Sequence, residues 1–416
     1  MQAVIAIPLL DATIGRMKAG ELLSRKIAGV PLLERVILTA TRAGATEIVL
    51  VCREVQGQVL PKKLRREVAA SGRPLKVILL SEFDLHDSSH WTELETHLDD
   101  QFLWIPWNWV TGKQFLKALP LQTTLVDWAK PALVSLHEVS HGAALPAPPP
   151  EPPGVRVTSP ESIARAERFL VAHSGKVLDG IHTSFNRRLC RPFVRLLSHT
   201  SITPNAVTFG GVVVSVLSAF AFAQGGYLCS VLGALLFYIA GLFDEMDGML
   251  ARIKFAESPR GTWLEGFADG LSYLLLFGGI TIGLSHRYGG AAILMGILLL
   301  VGAILALVAT SLQRRRATTA DRPNEYLGRM YQLLDKDSGN WISRVVRRLE
   351  TFVRRGILVH YVLIFTLIGA LPLIFVLATV GAHLTWILTL YFNRRFFAQS
   401  FHVGPTSTAN TIKETL

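Results

Sequence analysis

Apolar runs of near membrane-spanning length occupy residues 206–224, 228–243, 263–284 and 291–312, and a further apolar region extends over 357–380 and 383–392. A hydrocarbon core about 30 Å thick is crossed by about 20 apolar residues at 1.5 Å per helical residue, so this half of the chain is expected to fold in a bilayer. The last region is broken near Gly369 and Pro372 and is read as two helices, giving six spans in all. Six spans return the chain to the side it started from. Arg314, Arg315 and Arg316, the arginines of 344–355, and Arg394 and Arg395 then share one side, while the opposite connections at Gly225, Gly226 and 285–290 carry little charge. Cytoplasmic loops are enriched in Lys and Arg, so the basic side, with both termini, is expected to face the cytoplasm of a bacterial or archaeal cell.

The 416-residue chain is 50% hydrophobic yet carries a formal charge of +11. A single soluble globule does not combine these. A nucleic-acid binder would spread its basic residues over a polar surface rather than between membrane-length apolar runs, so no nucleic-acid partner is expected. Cys52, Cys190 and Cys229 are widely separated, which implies neither a disulfide framework nor a zinc site. The N-terminus lacks the basic stretch of a signal peptide, and the N-terminal part is expected to stay in the cytosol.

That part has a different rhythm. Residues 3–9, 47–52 and 75–80 are β-rich, and 31–43 carries Leu32, Leu33, Val36, Ile37 and Ala40 at helical spacing, a strand–helix–strand order that suggests a parallel sheet. Residues 146–153 are proline-rich and read as a stiff linker. Ser159 before Pro160 opens a helix to about Ala172. Over 185–197, Arg187, Arg188, Arg191 and Arg195 alternate with Leu189, Phe193, Val194 and Leu196, the pattern of an amphipathic helix on a membrane surface. The expected organisation is therefore a cytosolic α/β domain over 1–136, a linker over 137–159, linking and amphipathic helices over 160–200, a six-helix membrane domain over 201–397 and a polar tail over 398–416.

The chemistry is concentrated at the end of the second span. Asp244 and Asp247 lie three apart on one helical face, and Glu265 and Asp269 four apart on the next span. Only a short loop separates the two pairs, so all four carboxylates lie at one membrane depth. Four such acids repel one another and resist desolvation. Divalent cations relieve both problems, and oxygen-only donors favour Mg²⁺ or Mn²⁺ over zinc. Metals placed there can grip a diphosphate and neutralise a leaving phosphate. Gly248, Ala251 and Gly261 leave room for close approach, and Arg252 offers a fork to a phosphate or a carboxylate. His360 and His383, in apolar helices without acidic neighbours, are expected to be hydrogen-bonded packing residues.

These residues resemble the CDP-alcohol phosphotransferase signature, Asp-x2-Asp-Gly-x2-Ala-Arg-x8-Gly-x3-Asp-x3-Asp, with Glu265 in place of the third Asp. Thr203, Pro204, Asn205 and Thr208 resemble the element that opens the family's first span. The resemblance implies two divalent ions, Mg²⁺ or Mn²⁺, on Asp244, Asp247, Glu265 and Asp269, with Asp269 also the base for the acceptor hydroxyl. It implies contacts to the CDP moiety from Gly248, Ala251, Arg252, Ser258 and Gly261, flanked by Pro204 and Asn205. The reaction implied moves a substituted phosphate from a CDP-alcohol to an acceptor hydroxyl and releases CMP, in phospholipid synthesis. The donor is either CDP-diacylglycerol or a CDP-linked polar headgroup, the setting is membrane lipid, and family members are commonly homodimers.

The stretches 31–37 and 43–51 are similar to the opening of sugar-nucleotide nucleotidyltransferases. Their phosphate loop, however, is here represented only by Gly15, Arg16 and Met17, with Lys26 as a substitute lysine and Asn108 near the position of the metal-binding Asp. A non-catalytic relative is the expectation. The alternatives are an N-terminal domain that makes the CDP-alcohol, giving a bifunctional enzyme, and a carrier whose acids bind a transported cation.

Overall fold

The computed structural model describes residues 1–53, 75–80, 83–119, 121–122, 127–141, 153–175, 181–317, 326–353 and 355–397. The proline run at 146–152 and the tail at 398–416 lie outside the described residues. The chain divides into two compact units. The first comprises Met1–Gly175 with Arg191–Ile202 and Met249–Ala256, and the second comprises the remainder.

The first unit is built on a six-stranded sheet. Its strands are β1 (Gln2–Ala6), β2 (Glu47–Arg53), β3 (Leu75–Leu80), β4 (Gln101–Trp104), β6 (Leu121–Gln122) and β7 (Ala132–Ser135), in the order β6-β7-β4-β1-β2-β3. The short β5 (Trp109–Val110) lies outside this sheet and pairs antiparallel with β8 (Val155–Arg156). Strands β4, β1, β2 and β3 run parallel, and β7 is antiparallel to β4. Helix α1 (Leu32–Ala43) makes the crossover from β1 to β2 and stops at Gly44, whose φ of +111° is open to a residue without Cβ.

Alternation along the strands sends Ala3, Ile5, Ile48 and Leu50 to one face, against Leu33, Val36 and Ile37 of α1. Val4, Val49, Phe102 and Trp104 go to the other, against Trp91 and Trp128. Trp91 and Trp128 stack at 4.7 Å, and the Trp104 indole donates to the Trp128 carbonyl at 3.0 Å. Trp104, Trp107 and Trp109 are all buried, so they are core residues rather than a membrane-docking face. Helix α2 (Pro160–Ala172) starts where the sequence places it, with Ser159 and Ser162 closing a capping box.

The stretch after the proline run is not free linker. β8 takes its place beside β5, Val157 is fully buried, and the Thr111 hydroxyl donates to the Pro153 carbonyl at 2.5 Å. Alternating Val155 and Val157 explains the pairing: both find apolar partners in the same core.

In the second unit, helix α3 begins at Ile181 and runs to Ser198, its last residues belonging to the first unit. Five helices are long and apolar enough to span a membrane: α4 (Pro204–Ala223), α5 (Tyr227–Ile253), α6 (Pro259–Tyr288), α7 (Gly290–Ala317) and α11 (Leu371–Phe397). Between α7 and α11 come α8 (Tyr326–Lys336), α9 (Trp341–Val353) and α10 (Arg355–Leu367). The apolar part of α10, Ile357–Leu367, is shorter than a full span. The break that the sequence suggests near Gly369 is present, with Gly369 at φ +74° between α10 and α11. Of the six spans expected, five are present as helices of spanning length, and the apolar stretch in α10 falls short of one.

α6 packs along α4, and α7 along both α6 and α11. Small residues let α4 and α6 touch closely: a Cβ at Gly283 would stand 2.1 Å from the Phe222 carbonyl oxygen. Ser215 on α4 donates to Ser272 on α6 at 3.0 Å.

Candidate active site

The acidic motif lies on continuous helix. Asp244, Asp247, Gly248, Ala251 and Arg252 all belong to α5, which runs through the motif rather than stopping at Phe243. Ser258 is the N-cap of α6, its hydroxyl accepting the Gly261 N–H at 3.0 Å, with Pro259 at the first helical position. One turn on, α6 presents Glu265 and Asp269. Thr203 caps α4 in the same manner, so Pro204 and Asn205 form its first turn. A Cβ at Gly261 would meet Ser258 Oγ at 3.2 Å and Asn205 Oδ1 at 3.8 Å. Three separate stretches, 203–208, 244–248 and 258–269, therefore meet.

Asp247 is the best-defined carboxylate. It is 4% exposed, it accepts the Thr208 hydroxyl at 2.5 Å on Oδ2, and it lies within electrostatic range of both Asp244 and Glu265. Thr208 Oγ1 also stands 3.2 Å from the Pro204 carbonyl oxygen, so this one hydroxyl joins the first turn of α4 to the motif. Asp244 and Glu265 are half-buried, as is Asp269, which makes further polar contacts.

Among the described residues, no three His, Cys, Asp or Glu side chains converge closely enough to hold an ion as they stand. The donor chemistry nevertheless fits a divalent cation. The set is all hard oxygen, one member is buried, and Asp247 lies in the field of two like charges, Asp244 and Glu265.

Two arginines have partners within the protein. Arg187 does not face lipid headgroups; it is buried, and its Nε donates to Glu245 at 3.0 Å. Beside it, Tyr238 on α5 donates to Asn186 at 3.0 Å. The reason is rotational: Asn186, Arg187, Cys190 and Val194 form the buried stripe of α3, while Phe185, Leu189, Phe193 and Leu196 point outward. Arg252, within the first unit, donates from Nε to the Ser174 carbonyl. Sequence reasoning missed both engagements, and the only signal for the first was an acid, Glu245, set among the motif acids without helical alignment to them.

His383 is a packing residue as expected. Its Nδ1 accepts the Trp386 indole N–H at 3.1 Å, leaving Nε2 to donate to the Leu298 carbonyl at 3.0 Å. In the first unit, Asn108 is buried, its side-chain amide donating to the Val157 carbonyl at 3.1 Å while its main-chain carbonyl accepts the Val157 N–H at 2.8 Å.

Residues 201–391 match the family model described as CDP-alcohol phosphatidyltransferase. The match takes in the helices from α4 to most of α11. The matched range contains every member of the acidic constellation and the Thr-Pro-Asn turn that meets it. Two curated relatives share the name "Bifunctional IPC transferase and DIPP synthase". The protein of Rubrobacter xylanophilus is 28% identical over 177 residues, 42% of this chain and 39% of its own length. That of Aquifex aeolicus is 23% identical over 237 residues, 56% of this chain and 49% of its own. The matched stretches thus span less than half of either relative. The family is generally divalent-metal dependent, in keeping with the oxygen donors of the phosphatidyltransferase domain.

Proposed function

We propose that the chain transfers a substituted phosphate from a CDP-alcohol to an acceptor hydroxyl in a membrane, releasing CMP, with the acidic motif as the reacting centre. The observation that carries this reading is the buried, Thr208-held carboxylate of Asp247 facing Asp244 and Glu265 within the family domain. Asp244, Asp247, Glu265 and Asp269 would hold two divalent ions, Mg²⁺ or Mn²⁺, which supply charge neutralisation to the diphosphate. Asp269 takes the proton of the acceptor hydroxyl. The acceptor oxygen forms a bond to the phosphorus distal to cytidine, the bond from that phosphorus to the bridging oxygen breaks, and CMP leaves with the electron pair. Gly248, Ala251 and Gly261 admit the CDP moiety, Ser258 and Asn205 border it, and Arg252 supplies a cation near the diphosphate.

The basic loops support a six-span topology with both termini cytoplasmic, α10 being the sixth helix. The N-terminal domain acts as a non-catalytic support. Asn108, near the position where a nucleotidyltransferase needs a metal-binding acid, is spent on backbone bonds to Val157. The alternative, in which this domain also makes the CDP-alcohol, draws on the two activities in the relatives' name.

The test is CMP release by the purified full chain in lipid with Mg²⁺ or Mn²⁺. CDP-diacylglycerol and CDP-inositol are each offered with a panel of acceptors, beside Asp269→Asn. Metal-dependent release lost in the variant is expected, by about 10²–10⁴-fold for a general base. Ion flux without consumption of any CDP compound would instead establish a carrier. Pyrophosphate release from CTP with a sugar or inositol phosphate would overturn the non-catalytic reading of the first domain.

A further inference from the structure

Helices α8 and α9 form a hairpin that the reaction does not use. Met330 and Leu334 pack on Phe392 of α11, and Asp337 at the turn fastens the hairpin to the same helix. Arg395 donates to both Asp337 oxygens, from Nε at 2.8 Å and Nη2 at 2.7 Å, and Ser343 donates at 2.7 Å. Asn340 adds a bond to the Tyr391 hydroxyl at 2.8 Å. Arg347 is occupied within the hairpin, donating to Asp335 at 3.1 Å and standing 4.6 Å from the Tyr331 ring centroid. The hairpin is therefore held in one orientation.

What it presents outward is a single stripe. At about 100° per residue, Trp341, Arg344, Val345 and Arg348 fall within an arc of about 100° on α9. Trp341 is 66% and Val345 42% exposed, and both arginines are exposed with no partner among the described residues. Ser343 lies on the opposite side, buried. An apolar aromatic beside unpaired guanidinium groups is the composition of a surface that meets the headgroup layer, where Trp sits at the interface and Arg finds phosphate. The chain enters this hairpin from the membrane helix α7 and leaves it into the apolar α10, so the stripe lies at the membrane edge.

We infer that the α8–α9 hairpin docks on anionic lipid through Trp341, Val345, Arg344 and Arg348. Charge complementarity selects anionic over zwitterionic headgroups. Each arginine facing an anionic surface is worth about fivefold in partition, so removing two shifts the docked-to-free ratio by about 25- to 30-fold.

The test places an environment-sensitive dye at Val345→Cys in the full chain, read against the same chain without that cysteine. Both are reconstituted in nanodiscs of phosphatidylcholine alone or with one-third phosphatidylglycerol, each with and without spin-labelled lipid. The expected result is blue-shifted emission and strong quenching with phosphatidylglycerol, weak in phosphatidylcholine. R344Q/R348Q should lower the docked-to-free ratio read from that quenching by about 25- to 30-fold, and R344K/R348K should keep it, with thermal melting showing the variants folded. Water-like emission in both lipids would overturn the proposal, as would equal quenching in the two. Shielding that appears only in nanodiscs holding two protomers would overturn it as well, assigning the stripe to a second copy.

Discussion

The guanidinium of Arg35 stands 5.3 Å from the ring centroid of Phe255, across more than half the chain. Both ends of this contact are unusual. Arg35 is buried and donates from Nε and Nη2 to the Ile27 carbonyl at 3.2 and 2.7 Å. Phe255 adopts a φ of +56°, in the left-handed region that Cβ disfavours, just past the end of α5. Arg42 donates to its carbonyl at 3.3 Å, and Lys254 donates to the Thr200 and Ile202 carbonyls at 2.7 and 2.9 Å. The turn after the motif helix is thus clasped by the unit it belongs to. Arg35→Met removes charged hydrogen bonds worth about 1.5–3 kcal/mol. Hydrogen-exchange mass spectrometry should then show faster exchange at 26–31 and 254–256, with β1 and β2 unchanged.

Thr208 sets the second prediction. Its hydroxyl donates to the buried Asp247 carboxylate at 2.5 Å. Thr208→Val keeps the shape and strips the donor, a loss of about 1–3 kcal/mol. Turnover measured as CMP release should fall between about fivefold and a hundredfold. Thr208→Ser should recover most of it. Equal activity of the Val variant would show that the bond plays no part in positioning Asp247.

Glu265 is one methylene longer than the acid of the family signature. Glu265→Asp restores that signature, and the expected outcome is an active enzyme whose relative activation by Mg²⁺ and Mn²⁺ has changed. A chelator should abolish CMP release by the unaltered chain, and readdition of either ion should restore it. Titration of each metal against initial rate distinguishes a changed preference from a simple loss of affinity.

Cys190 offers a pH test. Burial chiefly, with the Glu245 charge adding to it against Arg187, pushes its thiol up to about 12. A raised thiol pKa keeps the neutral form dominant, so raising pH from 7 to 9 should not bring out thiolate there. Its Sγ lies 3.5 Å from the Leu242 carbonyl, and Cys52 is buried as well. Maleimide labelling of the folded protein, read by peptide mass spectrometry, should therefore reach Cys229 before the other two.

Local features were legible in the sequence. The helix start at Ser159–Pro160, the helix of 32–43, the strand at 75–80 and the apolar runs all depend on residues near one another in the chain. The acidic pairs were legible for the same reason, since three- and four-residue spacing fixes a helical face. What escaped were contacts between distant residues. Nothing near Arg187 announces Glu245, and an arginine in an amphipathic repeat reads as surface until the rotation of its helix is known. The left-handed Phe255 was equally hidden, because its stability comes from Arg35 and Arg42 rather than from its neighbours.

The pairing of Val155–Arg156 with Trp109–Val110 changes what the proline run can be. The helix Leu136–His141 before the run and the strand after it belong to one unit, and the chain first passes to the other unit at Lys176. The chain on either side of the run therefore belongs to a single body. A gene cut there would strip the first unit of the strand paired with Trp109–Val110 and of the buried Val157. A separable fragment has to extend at least to Gly175.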